Sequence, residues 1–212
     1  MDNKKAFEAF RDREAGIISE MEWRSYAVLV PLVRTEDGFA VLFEERSSKL
    51  KTQPDEVSFP GGAVEEGESY EEAAIRETME ELLVEREQIQ VLGPGDILIN
   101  PSAKKVHPFA AVLEGYEGTF SDDEVKSTFL VPLSFFKEEK PRIYKNKLSM
   151  VIDENFPYQD VPNGLKYRWD RGEYQVMFYY WEDKVIWGIT ARMLQATLDL
   201  MEEYGLLDSF GK

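Results

Sequence analysis

The pattern of apolar and polar positions predicts two adjacent strands near the start of the chain, because two β-rich apolar runs flank a short polar segment. Residues 25–33 (SYAVLVPLV) form a β-rich apolar run, and residues 39–45 (FAVLFEE) form a second one. Between them, residues 36–38 (EDG) have the composition of a tight turn, so the two runs are expected to form a hairpin. Ahead of the hairpin, helical periodicity over residues 3–22 predicts an amphipathic N-terminal helix within the segment 1–22.

The remaining apolar runs predict a sheet covered by helices. Helical spacing indicates two helices, at about 69–83 and at 190–204. Alternating or β-rich runs indicate further strands, and a short helix is expected after Pro132; the strands are placed at 88–99 (broken at 93–95), 107–114, 127–133 and 174–182. Mixed strands with few helices favour the α/β (α+β) class, with a sheet between helix layers.

A chain of 212 residues is long enough for one well-packed domain, so 1–212 is predicted to be a single unit. Residues 137–172 are rich in charge, proline and aromatic residues and match no recognisable pattern. We interpret them first as a surface insertion, with a dimer arm or a lid as alternatives, which leaves open a homodimer.

The composition excludes several classes of function. The chain has no cysteine, which excludes disulfides, thiolate catalysis and cysteine-based zinc sites. A net charge of −16 disfavours binding to nucleic acid or to an anionic membrane surface. No apolar run approaches the ~20 residues of a membrane span, and the charged N-terminus does not resemble a secretory signal, so a cytoplasmic protein is expected. An anionic substrate would need the few cations near its pocket, and the candidates are Arg46, Lys49, Lys51, Lys104 and Lys105.

The acidic helix at 69–83 carries the most informative chemistry. At ~100° per residue, Glu77, Glu80 and Glu81 fall within a ~100° arc of one helical face. Three such carboxylates repel one another unless cations lie between them, and oxygen ligands of this kind suit Mg²⁺. A glycine pair, Gly61-Gly62, precedes the helix, so the pattern suggests metal-assisted chemistry on phosphate. The alternative is an ordinary glutamate-rich surface helix, and the spacing of the residues decides between the two.

The spacing of these residues resembles the Nudix box. Gly62 is followed after five residues by Glu68, and after seven more by Arg76-Glu77 and then Glu80-Glu81. Two positions depart from the box: Thr78 replaces an aliphatic residue, and Leu83 replaces a glycine. Because that glycine normally relaxes the helix end, Leu83 predicts that the helix continues past it.

The resemblance implies an α/β/α sandwich and a hydrolase that uses Mg²⁺ (or Mn²⁺) to cleave a nucleoside diphosphate linked to another group. The implied metal ligands are Glu77, Glu80, Glu81 and a backbone carbonyl of the glycine pair, Gly62 included. Arg76 is expected to point away from the metal face and to pair with Glu68, and this pair would orient the loop. The general base is either a box glutamate or Glu124, whereas the lone histidine, His107, is expected to be structural.

The segment before the box is similar to the signature of coenzyme A pyrophosphatases, L-L-T-x-R-S followed by F-P-G-G. Arg46, Ser47 and residues 59–62 match in register, whereas Phe43, Glu44, Lys51 and Asp55 replace leucine, threonine, arginine and glycine. Residues 106–109 and 186–191 are similar to the same subfamily, so the resemblance covers roughly residues 25–200. The expected substrate contacts are Arg46, Lys49, Lys51 and Phe59.

This similarity implies a small-molecule substrate, coenzyme A or an acyl derivative, cleaved to 3′,5′-ADP and a 4′-phosphopantetheine. ADP-ribose or a dinucleotide is the alternative substrate. A different class of function is a nucleotide sensor that does not catalyse hydrolysis. Loss of box carboxylates would favour such a sensor, whereas here all four acidic positions of the box are present.

Overall fold

The computed structural model describes residue 5 and residues 10–13, 23–101 and 104–210. Most of the N-terminal helix predicted at 3–22 therefore lies outside the described residues. Among the residues that are described, no helix is long and apolar enough to cross a membrane.

A mixed sheet forms the centre of the molecule. Its strands are β1 (Arg24–Thr35), β2 (Gly38–Arg46), β3 (Val57–Ser58), β4 (Gly61–Ala63), β5 (Ile89–Pro94), β6 (Leu98–Ile99), β7 (Lys104–Leu113) and β8 (Val125–Pro132). The order of hydrogen-bonded neighbours is β3-β2-β1-β7-β5. In addition, β4 pairs with β1, β6 pairs with β7 and β8 pairs with β2. β1 and β2 form the predicted hairpin, with Thr35 opposite Gly38. β1 and β7 run parallel and the other pairs of this sheet run antiparallel, so the sheet is mixed.

Helices cover both faces of this sheet; they are α1 (Tyr70–Leu82), α2 (Leu133–Glu138), α3 (Gly188–Glu203) and α4 (Leu206–Ser209). Alternate residues of β1 face opposite sides, as the pleat requires. Leu29 packs in the cluster that contains the apolar residues of α1, whereas Val30 packs in the cluster that contains Leu194 of α3. This arrangement confirms the predicted α/β/α sandwich.

Local sequence sets both ends of α1. Ser69 caps its start, because the Ser69 hydroxyl accepts from Glu72 N while Ser69 N donates to the Glu72 carboxylate. The prediction that Leu83 extends the helix is wrong. Leu83 instead adopts the left-handed conformation itself (φ 52°), at a cost of about 1–2 kcal/mol for a residue with a side chain. The Thr119 hydroxyl donates to the Leu82 carbonyl at 2.7 Å, which satisfies one of the last helical carbonyls.

A second, three-stranded sheet consists of β9 (Arg142–Leu148), β10 (Gly172–Trp181) and β11 (Lys184–Trp187), in the order β11-β10-β9. The sequence analysis missed β9, because all seven of its residues are exposed and it therefore lacks an apolar face. Part of segment 137–172 is thus a sheet edge, while its role as an insertion and the single-domain assignment stay predictions.

Candidate functional site

The glycine pair brings the box helix into contact with the sheet. β4, which contains Gly61 and Gly62, pairs with β1. A Cβ placed on Gly62 would lie only 2.3 Å from the carboxyl carbon of Glu77, and the Gly61 amide donates to Glu81 Oε2 at 2.7 Å. The absence of a side chain at Gly62 therefore leaves room for the Glu77 carboxylate, while Glu81 is held by the backbone amide of Gly61.

The three box glutamates differ in their burial. Glu81 is 2% exposed and Glu77 is partly buried, whereas the side chain of Glu80 is 59% exposed. Burial raises the pKa of Glu81, and the negative charges of Glu44 and Glu77 raise it further. Burial likewise raises the pKa of Glu77, although the hydrogen bond from Arg76 opposes this effect. Buried carboxylates that repel one another in this way would be stabilised by a cation.

Arg76 and Glu68 form the predicted pair. Arg76 Nε and Nη2 donate to the two carboxylate oxygens of Glu68 at 2.9 and 3.1 Å, and Nη2 also donates to the Ala63 carbonyl at 3.2 Å. Arg76 does not point away from the box glutamates, however. Its Nη1 lies 2.9 Å from Glu77 and 3.6 Å from Glu80, because its long side chain folds back along the helix. One guanidinium thus links the loop, the strand and two glutamates.

We expect Arg76→Lys to lower kcat by about 10-fold, the smaller end of the effect of residues that orient metal ligands. Lysine keeps the positive charge but lacks the planar guanidinium group that binds both oxygens of Glu68 and also contacts Glu77. The free energy of unfolding should change by no more than about 1 kcal/mol, as for partly exposed ion pairs. Steady-state kinetics and urea unfolding measure both quantities, and a loss of stability without a loss of kcat would contradict the orienting role.

Glu44 on β2 is a site residue that the sequence analysis did not select. Its side chain is fully buried, and its Oε1 accepts from the hydroxyl of Ser58, the residue opposite it on β3, at 2.8 Å. Its Oε2 has no hydrogen-bond partner, and Arg46 Nη1 lies 3.9 Å from the other oxygen, Oε1. The signal was present in the alternation, because Leu42, two residues earlier on the same face, is also fully buried.

The donors at this site fit a hard divalent cation. They are carboxylates, and the buried Oε2 of Glu44 accepts no hydrogen bond. In the described part of the chain, no three acidic or histidine side chains converge closely enough to hold an ion as they stand. The side chains of Glu77 and Glu80 are instead paired with Arg76.

A cavity of about 280 Å³ opens beside the glycine pair. Its walls combine the end of β2 and the loop after it, β3, β4, the first parts of β1 and β7 and the start of α3. The lining residues are Tyr26, Val28, Arg46, Thr52, Gln53, Glu56, Val57, Ser58, Phe59, Gly61, Gly62, Lys104, Val106, Ile189, Thr190 and Met193. The Thr190 hydroxyl donates to the Val57 carbonyl at 3.1 Å, which fixes the start of α3 against β3. The three stretches that are similar to the coenzyme A signature thus meet at one cavity.

Of the four predicted substrate contacts, two line this cavity. Arg46 lines it, and Phe59 does so although most of its side chain is buried and stacks on Phe43 at 5.0 Å. Lys49 and Lys51 are not among the lining residues. Lys49 lies instead beside the Asp122 carbonyl and, at 3.9 Å, the carboxylate of Asp123, because its loop turns toward that segment.

A second cation reaches the cavity from β7. Lys104 lines the wall, with its Nζ 5.4 Å from the centre of the Tyr26 ring, and sequence analysis placed it only among the general cation candidates. Arg46 and Lys104 are therefore the basic residues of the described lining.

The remaining predicted site residues also have clear positions. Glu124 is exposed immediately before β8, and its negative charge contributes to the raised pKa of Glu44 and of Glu77, so it lies near the carboxylate cluster.

His107 stacks on Tyr70 with ring centres 3.5 Å apart, in agreement with a structural role. Thr78, the departure inside the box, is buried and its hydroxyl donates to the Ala74 carbonyl at 2.7 Å.

Asp55, the departure in the coenzyme A signature, occupies a position that suits glycine. Its φ is +59°, a left-handed conformation that aspartate tolerates better than most residues. Its carboxylate accepts from the hydroxyl of Ser48 at 2.6 Å and from Lys126 at 2.9 Å. Asp55 is absent from the described lining of the cavity, so its charge is neutralised away from it.

Comparison with known proteins finds one matching family model and several similar proteins. The family model of the NUDIX domain matches residues 23–151. The mouse protein "Peroxisomal coenzyme A diphosphatase NUDT7" is 31% identical over 156 residues, which cover 70% of this chain and 65% of that protein, somewhat less than two thirds of it. "Nudix hydrolase 3" of Caenorhabditis elegans is 29% identical over 187 residues, which cover 82% of this chain and 72% of that protein.

Bacterial proteins and solved structures show similar matches. "Uncharacterized Nudix hydrolase NudL" of Citrobacter koseri is 29% identical over 174 residues, which cover 81% of this chain and 80% of that protein. A crystal structure of a C. elegans Ap4A hydrolase binary complex superposes with a TM-score of 0.45 at 25% identity, covering 51% of this chain and 80% of that one.

Proposed function

Because the chain belongs to the Nudix family of hydrolases, which cleave the pyrophosphate bond of nucleoside diphosphate derivatives, we propose that its substrate is coenzyme A or an acyl-coenzyme A. The products would be 3′,5′-ADP and a 4′-phosphopantetheine or its acyl form. The observation that carries this proposal is the meeting of three separate signature stretches at one cavity beside Gly61 and Gly62. The name of the mouse relative, a coenzyme A diphosphatase, supports it.

The box residues would hold the divalent ion, Mg²⁺ or Mn²⁺, that Nudix hydrolases generally use. Glu77, Glu80 and Glu81 supply the carboxylates, and Gly62 supplies a carbonyl. When bound, such an ion neutralises the pyrophosphate charge and lowers the pKa of a coordinated water. Arg76 and Glu68 hold the loop and the helix in fixed relative positions, which keeps the carboxylates aligned.

A carboxylate is also needed to accept the proton of the attacking water. Glu124 suits this role because it is exposed to solvent and lies within electrostatic range of Glu44 and Glu77. As water attacks one phosphorus, the bridging P–O bond breaks and the departing phosphate takes the negative charge. Glu80, the most exposed of the box glutamates, is the second candidate for the base.

Coenzyme A differs from most nucleoside diphosphate derivatives by its 3′-phosphate, so its site should present cations. Arg46 and Lys104 line the cavity from two different strands. The only acidic residue of the described lining is Glu56, and Asp55, which replaces the signature glycine, pairs with Lys126 outside the cavity. The replacement therefore does not remove the positive charge that the 3′-phosphate needs.

The direct test is a product assay with purified protein and Mg²⁺. Coenzyme A, 3′-dephospho-coenzyme A and ADP-ribose should be supplied in parallel, and the nucleotide products separated by chromatography. We expect 3′,5′-ADP from coenzyme A and a lower kcat/KM for the dephosphorylated form. Equal rates with and without the 3′-phosphate, or cleavage of ADP-ribose alone, would refute the coenzyme A assignment. No turnover of any of the three would favour a nucleotide sensor.

Substitution of Lys104 tests the proposed phosphate contact. We expect Lys104→Gln to raise KM for coenzyme A by about 10-fold, since a charge-assisted hydrogen bond contributes roughly 1.5–3 kcal/mol, while KM for 3′-dephospho-coenzyme A stays within about twofold. Lys105→Gln is the matched control, because Lys105 is the next residue but lies over the Trp23 ring and outside the described lining. Equal increases of KM for both substrates would mean that Lys104 contacts another part of the molecule.

A further inference from the structure

Glu44 is an unexpected residue at its position in β2. The coenzyme A signature has a neutral threonine there, whereas this chain places a carboxylate in the sheet with 0% of its surface exposed. A buried carboxylate is costly unless it is paired, and here only one oxygen is hydrogen-bonded, to the Ser58 hydroxyl. The other oxygen, Oε2, has no partner.

The residues around Glu44 indicate which groups lie near its unpaired oxygen, Oε2. β2 alternates, so Glu44 shares a face with Leu42, which packs in the cluster that contains α1, while Glu45 points to the opposite face and pairs with Lys126 and Lys184. The negative charge of Glu44 contributes to the raised pKa of Glu81, and the charges of Glu124 and Glu77 contribute to the raised pKa of Glu44. Glu44 thus lies beside the box glutamates and not beside the apolar core of α3.

The nearby cation, Arg46, compensates for this charge only in part, because burial still raises the pKa of Glu44 although the charge of Arg46 lowers it. Arg46 Nη1 lies 3.9 Å from Glu44 Oε1, beyond hydrogen-bond distance, and Arg46 Nε is itself buried without a partner. Arg46 lines the cavity beside the glycine pair, and so does Ser58, whose hydroxyl donates to Glu44 Oε1. A divalent ion at the box would compensate for Glu44 as well as for its neighbours.

We propose that Glu44 is an additional carboxylate of the metal centre, which offers Oε2 to the divalent ion that the box glutamates hold. This inference rests on the proposed function, since it assumes that the box binds metal. A further carboxylate increases the negative charge around the ion, which raises affinity for divalent cations. The chain would therefore bind metal more tightly than a relative with threonine at this position.

Mn²⁺ binding without substrate tests this role. The affinity is measured by titration calorimetry and by the loss of the electron paramagnetic resonance signal of free Mn²⁺. We expect Glu44→Gln, an isosteric change that keeps the acceptor for Ser58, and Glu44→Thr, the signature residue, each to weaken Mn²⁺ binding by about 10-fold. Glu45→Gln is the control with the same charge change on the opposite face of the strand, and it should bind Mn²⁺ like the parent.

Thermal unfolding without metal shows whether each variant is folded before its affinity is compared. If only one of the two Glu44 variants folds, that variant carries the test. Unchanged Mn²⁺ affinity in a folded Glu44 variant would overturn the proposal. Because no substrate is present, a failure of the coenzyme A assay would leave this result intact, and the two hypotheses can fail separately.

Discussion

Glu81→Gln is expected to lower kcat by about 10³-fold, since the charge stabilisation that a metal ligand supports is worth several kcal/mol. Glutamine has the shape of glutamate, and its amide oxygen can still accept the hydrogen bond that Gly61 N donates at 2.7 Å. The substitution therefore removes one charge and little else. Steady-state kinetics with saturating Mg²⁺ measures the loss.

In the absence of metal, Glu81→Gln should not lower the free energy of unfolding. Burial and the neighbouring Glu44 and Glu77 destabilise the charged form of Glu81, so a neutral side chain should leave the free energy of unfolding unchanged or increase it. Addition of Mn²⁺ should raise Tm in the parent and much less in the variant.

Glu71→Gln serves as the control for Glu81→Gln, because Glu71 is an exposed residue of the same helix. Its kcat and its metal-induced shift in Tm should match the parent. Full activity of Glu81→Gln would remove Glu81 from the metal site. A large loss of stability would show that its charge serves the fold instead of the chemistry.

The layers of the fold could be predicted because they follow from periodicity. The apolar run at 25–33 alternates between two helix layers, and the helix at 190–204 has one apolar face, so both elements appear within two residues of their predicted ends. β9 could not be predicted in this way, since an exposed strand has no buried face to set a pattern. Its partner β10 supplies the backbone hydrogen bonds, and such pairing is a tertiary property.

The candidate site could be predicted where its residues lie close together along the chain. The box glutamates and the Arg76–Glu68 pair lie within one helix and its preceding loop, so their spacing fixes their positions. The cavity was not predictable to the same extent, because residues from five strands, one helix and a loop form it. Lys49 and Lys51 were favoured for their place in the signature, yet neither is among the described lining residues, and Lys49 lies beside the Asp122 carbonyl.

Gly61→Ala and Gly62→Ala are expected to fail for different reasons, although the two residues are adjacent. A Cβ on Gly61 would lie 2.3 Å from the Ala27 carbonyl oxygen and 2.6 Å from the Val28 Cα, and both are backbone atoms of β1 that cannot move aside. The φ of Gly61 is also +152°, a conformation that side chains disfavour. Overpacking and backbone strain each cost about 1–3 kcal/mol, so Gly61→Ala should lower the free energy of unfolding by about 3 kcal/mol.

Gly62→Ala should instead preserve the fold and impair catalysis. The φ of Gly62 is not in the left-handed range, and the added methyl would meet only the carboxyl group of Glu77, at 2.3–2.5 Å. That group is at the end of a flexible side chain, so it can move away at a cost of about 1 kcal/mol. A carboxylate displaced by about 1 Å no longer serves the metal site, and kcat should fall by about 10²-fold.

A double-mutant cycle separates this displacement from any other effect of the methyl group. In a Glu77→Ala background there is no carboxyl group to displace, so adding Gly62→Ala should cause almost no further loss of kcat. Gly61→Ala should destabilise the protein equally in both backgrounds, because its clash is with β1. Kinetics on the four proteins of the Gly62–Glu77 cycle measures the loss of kcat, and urea unfolding of Gly61→Ala in the parent and in the Glu77→Ala background measures the loss of stability. Additive losses of kcat for Gly62→Ala and Glu77→Ala would show that the added methyl impairs the site independently of Glu77, and not by displacing its carboxylate.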